Sequence, residues 1–413
     1  MNKTKISKLS WPWWKKLCTG LTLGTMISGA VLLGLEGIVR ATTPDTHSIF
    51  TKIKEKDGEF IVPNPEYREE NNNYLSSTLN GKKIPLQKNK RLFIMLGEST
   101  MAGNTLNIRT EEKNGSPGDM AFHIITENIT NKKSIEKVNL AVVGHGFRTV
   151  RRFIEDIRKN GLDENVAFVV YCGNNEYLPH EVSKDLAESK ERFPSLTNIL
   201  SRSRLIEKSK ELIEKYFIKT KENEEEIFPI DTVKEDIIRD SIRKDIQAII
   251  KEVGKYKETH LYLCTTISNP GIPPIRDNTP LKMNDEDREK FDQRFKHGLR
   301  LINQEKFMES ISVWEDLMKQ GSNSPMVYYL AGTAYQNIGQ NEKAGTLYNL
   351  AINNDQEPIR AKEENTELIR KTSQDNKKVT LIDISRWIGN KGMHERKFFD
   401  CMHPTAETTY YEV

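Results

Sequence analysis

Four short segments of this chain hold side chains that can do chemistry together. The first is Gly97-Glu98-Ser99-Thr100-Met101-Ala102-Gly103, directly after the apolar run Leu92–Leu96. A serine just past a buried strand stands at the edge of a sheet, where its hydroxyl can face a cleft. Alone it is a weak signal, because serine also caps helices. The second segment is Asn139-Leu140-Ala141-Val142-Val143-Gly144-His145-Gly146. Its glycines let a backbone N–H approach a substrate with no side chain in the way. The third, Tyr171-Cys172-Gly173-Asn174-Asn175-Glu176, presents an amide side chain after another apolar run. The fourth is Asp400-Cys401-Met402-His403-Pro404. An aspartate and a histidine three residues apart can share one turn, so that the carboxylate orients the imidazole.

Positioning such groups requires strands that end at one edge. Five apolar runs are spaced along the chain for that purpose: Leu92–Leu96, Val138–Val143, Val166–Cys172, Leu261–Thr265 and Val379–Ile384. Continuous apolar runs of this length read as strands buried on both faces. Helical patterns fall between them, at Asp119–Thr130 and Val150–Asn160. Strands alternating with helices imply a doubly wound, parallel α/β sheet, whose ligands bind beyond the carboxyl ends of the strands.

The four segments, in this order, resemble the Ser-Gly-Asn-His hydrolases, the GDSL-type esterases. Gly97-Glu98-Ser99 stands where that superfamily has Gly-Asp-Ser, with glutamate in place of aspartate. Gly173-Asn174-Asn175-Glu176 matches its Gly-x-Asn-(Asp/Glu) block, and Asp400 to His403 its closing Asp-x-x-His block. The resemblance runs from Leu92 onward. It implies a flavodoxin-like three-layer α/β/α fold with a five-stranded parallel sheet. It also implies Ser99 as nucleophile, His403 as base and Asp400 as the group that holds the imidazole. The backbone N–H groups of Ser99 and Gly144 and the Asn175 amide would form the oxyanion hole, with no cofactor and no metal. Gly146 competes with Gly144, and Asn174 with Asn175; the spacing from Asn139 and from Gly173 favours Gly144 and Asn175. Cys172 and Cys401 suggest a weaker thiol alternative. His145 reads as a surface or packing histidine, His123 as structural, and Arg148, Arg151 and Arg152 as a solvated helix start.

Two insertions interrupt the α/β pattern. Residues 181–258 are rich in Lys and Glu and read as amphipathic helices with a solvated face. In the second, Tyr328, Gly332, Tyr335, Gly339, Ala344, Tyr348 and Ala351 reproduce the spacing of a tetratricopeptide repeat, whose period is 34 residues. One period earlier stand Gly298, Leu301, Ser310, Trp314 and Leu317, which implies two helical hairpins. The insertion of such hairpins before the last strand resembles a bacterial subgroup of the same superfamily, and the hairpins would offer a surface for a protein partner.

Residues 17–35 carry no charge and are long enough to cross a hydrocarbon core. Lys3, Lys5, Lys8, Lys15 and Lys16 precede them, with Trp11, Trp13 and Trp14 at the boundary. The lysines predict a cytoplasmic N-terminus and an exported remainder, held by an uncleaved signal anchor. The expected organisation is a cytoplasmic tip and anchor over 1–40, a linker over 41–90, and an α/β hydrolase over 91–290 and 356–413. The helical hairpins fill 291–355. With 62 Lys plus Arg against 59 Asp plus Glu, the chain lacks the bulk positive charge of a nucleic-acid binder. Its four cysteines, Cys18, Cys172, Cys264 and Cys401, are too scattered for a disulfide scaffold.

Together these features lead to a membrane-anchored, exported serine esterase acting on an O-acyl carbohydrate or lipid. A repeat-bearing scaffold with a vestigial site, or an O-acyltransferase using the same residues, are the alternatives.

Overall fold

The computed structural model describes residues 48–65, 67, 79, 81–86, 91–98, 136–142, 144–162, 164–190, 230–274, 284–374, 376–389 and 402. All lie in one of the chain's two compact units, 48–190 together with 224–413. Among the described residues no helix is long and apolar enough to cross a membrane. The expected anchor at 17–35 and the expected helix at Asp119–Thr130 lie outside the described residues.

All five apolar runs form strands of one sheet: β4 (Leu92–Gly97), β5 (Glu136–Asn139), β6 (Val166–Tyr171), β7 (Thr259–Cys264) and β8 (Val379–Ile382). Every pairing is parallel, in the order β5-β4-β6-β7-β8. Leu92 sits opposite both Glu136 and Val166, and Gly97 opposite Tyr171. Alternate residues supply two cores. Ile94, Leu96, Phe168, Val170, Leu261 and Leu263 face one layer; Phe93, Met95, Val169, Tyr171 and Cys264 face the other. The first layer is covered by α1 (Phe147–Lys159) and α3 (Thr232–Gly254). Ile154 and Ile157 of α1, and Ile238, Ile242, Ile246 and Ile249 of α3, recur at helical spacing and enter that core. On the other face Ile384, at the start of the short α9 (Ile384–Gly389), joins the core. The result is an α/β protein with a five-stranded, all-parallel sheet flanked by helices.

This strand order is one of the two common doubly wound arrangements, and its switch point lies between β4 and β6. β5 ends earlier than the apolar run Val138–Val143. Beyond Asn139 the chain still follows β4, Leu140 N–H donating to the Met95 carbonyl and Val142 N–H to that of Gly97, both at 2.9 Å.

The lead-in over 41–90 contains ordered structure that its polarity concealed. β1 (Phe50–Glu55), β2 (Gly58–Pro63) and β3 (Ile84–Pro85) form a small antiparallel sheet. Its first hairpin turns through Lys56-Asp57 into Gly58, and Phe50 packs edge-on against Phe153 of α1 at 5.3 Å between ring centroids.

Between β7 and the last strand lie α4 (Asp285–Asn303), α5 (Phe307–Lys319), α6 (Pro325–Asn337) and α7 (Asn341–Asn353), then α8 (Glu363–Ser373). α4 and α6 end at Asn303 and Asn337, and α5 and α7 span Phe307–Lys319 and Asn341–Asn353, so the second hairpin copies the first at a step of 34 residues. The packing repeats with it. A Cβ on Gly298 would lie 2.5 Å from the Trp314 ring, and one on Gly332 2.9 Å from the Tyr348 ring. At the two helix ends, Glu305 (φ 59°) and Gly339 (φ 79°) take the same left-handed conformation. These helices share a core of their own around Trp314, Val327, Ala331 and Ala334. Tyr329 O–H ties them to the α/β layer by donating to the Gly271 carbonyl at 2.8 Å.

Candidate functional site

At the end of β4, Gly97 presses against β6: a Cβ there would lie 2.2 Å from the Tyr171 carbonyl oxygen. Only glycine allows the two strands to run this close at their carboxyl ends. Glu98 follows, fully buried, and its carboxylate reaches the loop after β6. One oxygen, Oε2, accepts the Asn174 N–H at 3.0 Å and the Asn175 N–H at 3.3 Å. The other, Oε1, accepts the Asn174 side-chain amide. The acidic residue of the Gly-Glu-Ser segment is thus the anchor of the Gly-Asn-Asn-Glu segment.

Asn174 has no amide group to spare, since its Oδ1 also accepts the Ala361 N–H at 2.9 Å. Asn175 begins a single 3-10 turn, Asn175–Tyr177, and points its amide to the other loop, Nδ2 donating to the His145 carbonyl at 3.3 Å. Between the two asparagines that compete for one role, the first is committed to holding the loop. The second lies against the glycine-bearing turn.

That turn is shaped by Asn139, whose Oδ1 accepts the Ala141 N–H at 2.9 Å. Gly144 takes φ +76°, a left-handed conformation costly for residues with a Cβ. Gly146 has a different task. A Cβ there would lie 2.5 Å from the Glu176 carboxylate, which accepts the Phe147 N–H at 2.8 Å and so caps α1. The two glycines are therefore distinct: Gly144 makes the turn, and Gly146 leaves room for the helix cap.

Burial pushes the Glu176 carboxyl well above its ordinary range, with the Glu181 charge adding to the effect. The Cys172 Sγ donates to Glu176 at 3.6 Å and to the His145 carbonyl at 3.7 Å. Burial also pushes this thiol far up, which keeps it protonated and deprives it of nucleophilic character. Cys264 is likewise a free, buried thiol, pushed up to about 12 by burial.

His145 is buried against α2 (Pro179–Lys190), where His180 and Glu181 meet it. Its Nδ1 is 3.1 Å from Thr149 Oγ1 and 3.8 Å from Glu181 Oε1. His180 Nε2 donates to the Gly144 carbonyl at 2.7 Å. Burial lowers the His180 pKa. Burial works to raise that of Glu181, but His145, Lys184 and His180 outweigh it and hold the carboxyl below its ordinary value.

The arginines at the start of α1 are not a solvated face. Arg148 is buried and paired with Asp185, Arg151 Nε stands 2.8 Å from Asp245, and Arg152 donates to the Tyr67 hydroxyl at 2.7 Å. They bind α1 to its neighbours. Elsewhere, a recess of about 1020 Å³ between α3 and α8 is lined by Arg239, Arg243, Glu363 and Glu364. Arg239 is already paired there with Glu364, and Arg243 with Asp240.

Of the sequence-derived site, the structure brings together the Gly144 turn, Asn175 and the Glu98 segment, all at the carboxyl edge of the sheet beside its switch point. Ser99, Asp400 and His403 lie outside the described residues, as do Cys18, Cys401 and His123. Glu98, Glu176, His180 and Glu181 were missed as site-building residues, because their partners come from loops and helix starts distant in sequence. The nearest local hint was a buried-strand end followed at once by an acidic residue. No known family model matches the chain, and no curated protein matches it significantly.

Proposed function

We propose that this chain is a serine esterase of the Ser-Gly-Asn-His hydrolase type. The observation that carries the reading is the Glu98 carboxylate. It ties the segment bearing Ser99 to two successive N–H groups of the segment bearing Asn175, and Asn175 in turn meets the turn bearing Gly144. The Glu98 segment, a glycine turn and an amide donor are thereby held at one sheet edge, where doubly wound folds bind ligands.

In this proposal Ser99 Oγ attacks the ester carbonyl carbon while His403 takes its proton and Asp400 steadies the imidazole. The developing oxyanion is met by the Ser99 and Gly144 N–H groups and the Asn175 amide. Each such donor is typically worth about 3–4 kcal/mol in the transition state. The ester C–O bond then breaks, the imidazolium returns the proton to the leaving alcohol, and water repeats the sequence on the acyl-enzyme. The substrate class we assign is an O-acyl carbohydrate or lipid. The two helical hairpins are tetratricopeptide-like units open to a protein partner, and residues 17–35 anchor an exported enzyme to the membrane.

The test is a fluorophosphonate probe applied to the full chain in detergent. Labelling and turnover of p-nitrophenyl acetate are expected, and both should vanish in Ser99→Ala. Labelling that persists in Ser99→Ala, or no labelling of a folded wild type, overturns the assignment.

A further inference from the structure

Two imidazoles and a carboxylate converge beside the glycine turn. His145, His180 and Glu181 each direct one ligand atom inward, and all three atoms lie within 4.8 Å of one another. Glu181 Oε1 is the telling member. It is buried and accepts no hydrogen bond. Its neighbours stand at 3.5 Å (His180 Nε2), 3.8 Å (His145 Nδ1) and 3.7 Å (Lys184 Nζ). A buried carboxylate oxygen left unsatisfied in this way is costly, and a cation placed among these groups would remove the cost.

We propose that His145, His180 and Glu181 form a binding site for a divalent transition-metal ion of the zinc class. Two histidines with one carboxylate are an established three-ligand zinc set, in which the fourth position stays open to water or to another ligand. Around zinc, with metal–nitrogen bonds of about 2.0–2.1 Å, tetrahedral donors stand roughly 3.3 Å apart. Two of the present edges, at 3.5 and 3.8 Å, need to close only slightly. His180 is the half-exposed member and can make that adjustment. Nitrogen donors in the majority disfavour magnesium and calcium, which take oxygen ligands.

Binding rearranges two hydrogen bonds. His180 moves its proton from Nε2 to Nδ1, which frees Nε2 for the ion and breaks its bond to the Gly144 carbonyl, and His145 Nδ1 gives up Thr149 Oγ1. The Lys184 ammonium competes for the same carboxylate oxygen and swings outward, since its side chain is already partly exposed. His145 sits between Gly144 and Gly146, and its carbonyl receives the Asn175 amide. An ion held here therefore clasps the glycine turn to α2. The metal site does not rest on the esterase assignment and stands or falls separately from it.

The full-length chain, stripped with a chelator, should be titrated with zinc chloride by calorimetry and with cobalt(II) by visible absorption. One ion per chain is expected, with the intense cobalt bands of a four-coordinate site. His180→Ala and Glu181→Gln should each weaken binding at least tenfold, whereas Lys184→Gln should tighten it. Circular dichroism checks that the variants fold. If a ligand variant does not fold, Lys184→Gln decides, because it alters only a partly exposed side chain. Absence of binding, wild-type affinity in folded His180→Ala and Glu181→Gln, or an unchanged affinity in Lys184→Gln overturns the proposal.

Discussion

Asn174 and Asn175 are adjacent, alike in side chain, and differ entirely in what they do. Asn174 spends both ends of its amide inside the protein, on Glu98 and on the Ala361 N–H. Asn174→Ala leaves two buried partners unsatisfied, at about 1–3 kcal/mol each. A clear fall in Tm is expected. Asn175 makes one long side-chain bond, to the His145 carbonyl. Asn175→Ala should leave Tm nearly unchanged and, on the esterase reading, reduce turnover by roughly 10²–10³-fold. Thermal melts beside ester hydrolysis separate the two; equal effects on both measurements would refute the division of labour. The sequence narrowed the choice to these two residues by spacing. It could not show why, because the group that distinguishes them, Glu98, follows a different strand.

Elements were more legible than the bonds between them. β4 and β6 announced themselves because a strand buried on both faces must be apolar throughout, as Phe93 to Leu96 and Val166 to Val170 are. The small sheet of β1–β3 did not, since most of its residues are exposed or half-buried and Pro63 and Pro85 end two of its strands. Arg148 looked like a solvated residue until its partner Asp185 was brought up by α2. The helical repeat was legible because its glycines face rings. That fact also reverses a usual rule. In an exposed helix, glycine to alanine is stabilising by about 0.5–1 kcal/mol. Gly345 of α7 has open space around its Cβ position, and Gly345→Ala should raise Tm. Gly298 faces Trp314 at 2.5 Å, and overpacking of this kind costs about 1–3 kcal/mol. Gly298→Ala should therefore lower Tm. Thermal unfolding of both variants checks the pair, and a stabilised Gly298→Ala would show that the two helices do not pack this closely.

Across the whole molecule, two carboxylates give the stability curve opposite slopes with pH. Burial raises the Asp383 carboxyl, but the Arg370 guanidinium and its other hydrogen bonds prevail and hold its pKa below the ordinary 3.8. A group depressed on folding contributes above its unfolded pKa, and the contribution fades as pH falls through the folded one. Asp185 behaves in the reverse manner. Burial raises its carboxyl to about 7 even against Arg148. The folded state then binds the extra proton, so this contribution is full below about pH 4 and is lost as pH rises towards 7. Urea midpoints measured from pH 3 to pH 8 should show both limbs. Asp383→Asn should flatten the acid limb, and Asp185→Asn the limb between about pH 4 and pH 7. Unchanged limbs would refute these assignments.

The Glu98 clamp also bears on the order in which the molecule assembles. Glu98 is 76 residues from Asn174, and Asn174 is 187 residues from the Ala361 N–H that completes its bonding. Closing those loops is entropically slow, and the second requires the chain to have passed through both helical hairpins. The clamp is therefore expected to form after the rate-limiting step of folding. Interactions absent from the transition state act on escape from the native state, not on arrival. In stopped-flow measurements Glu98→Gln should quicken unfolding while leaving the refolding rate close to that of the wild type; slowed refolding would place the clamp in the nucleus instead.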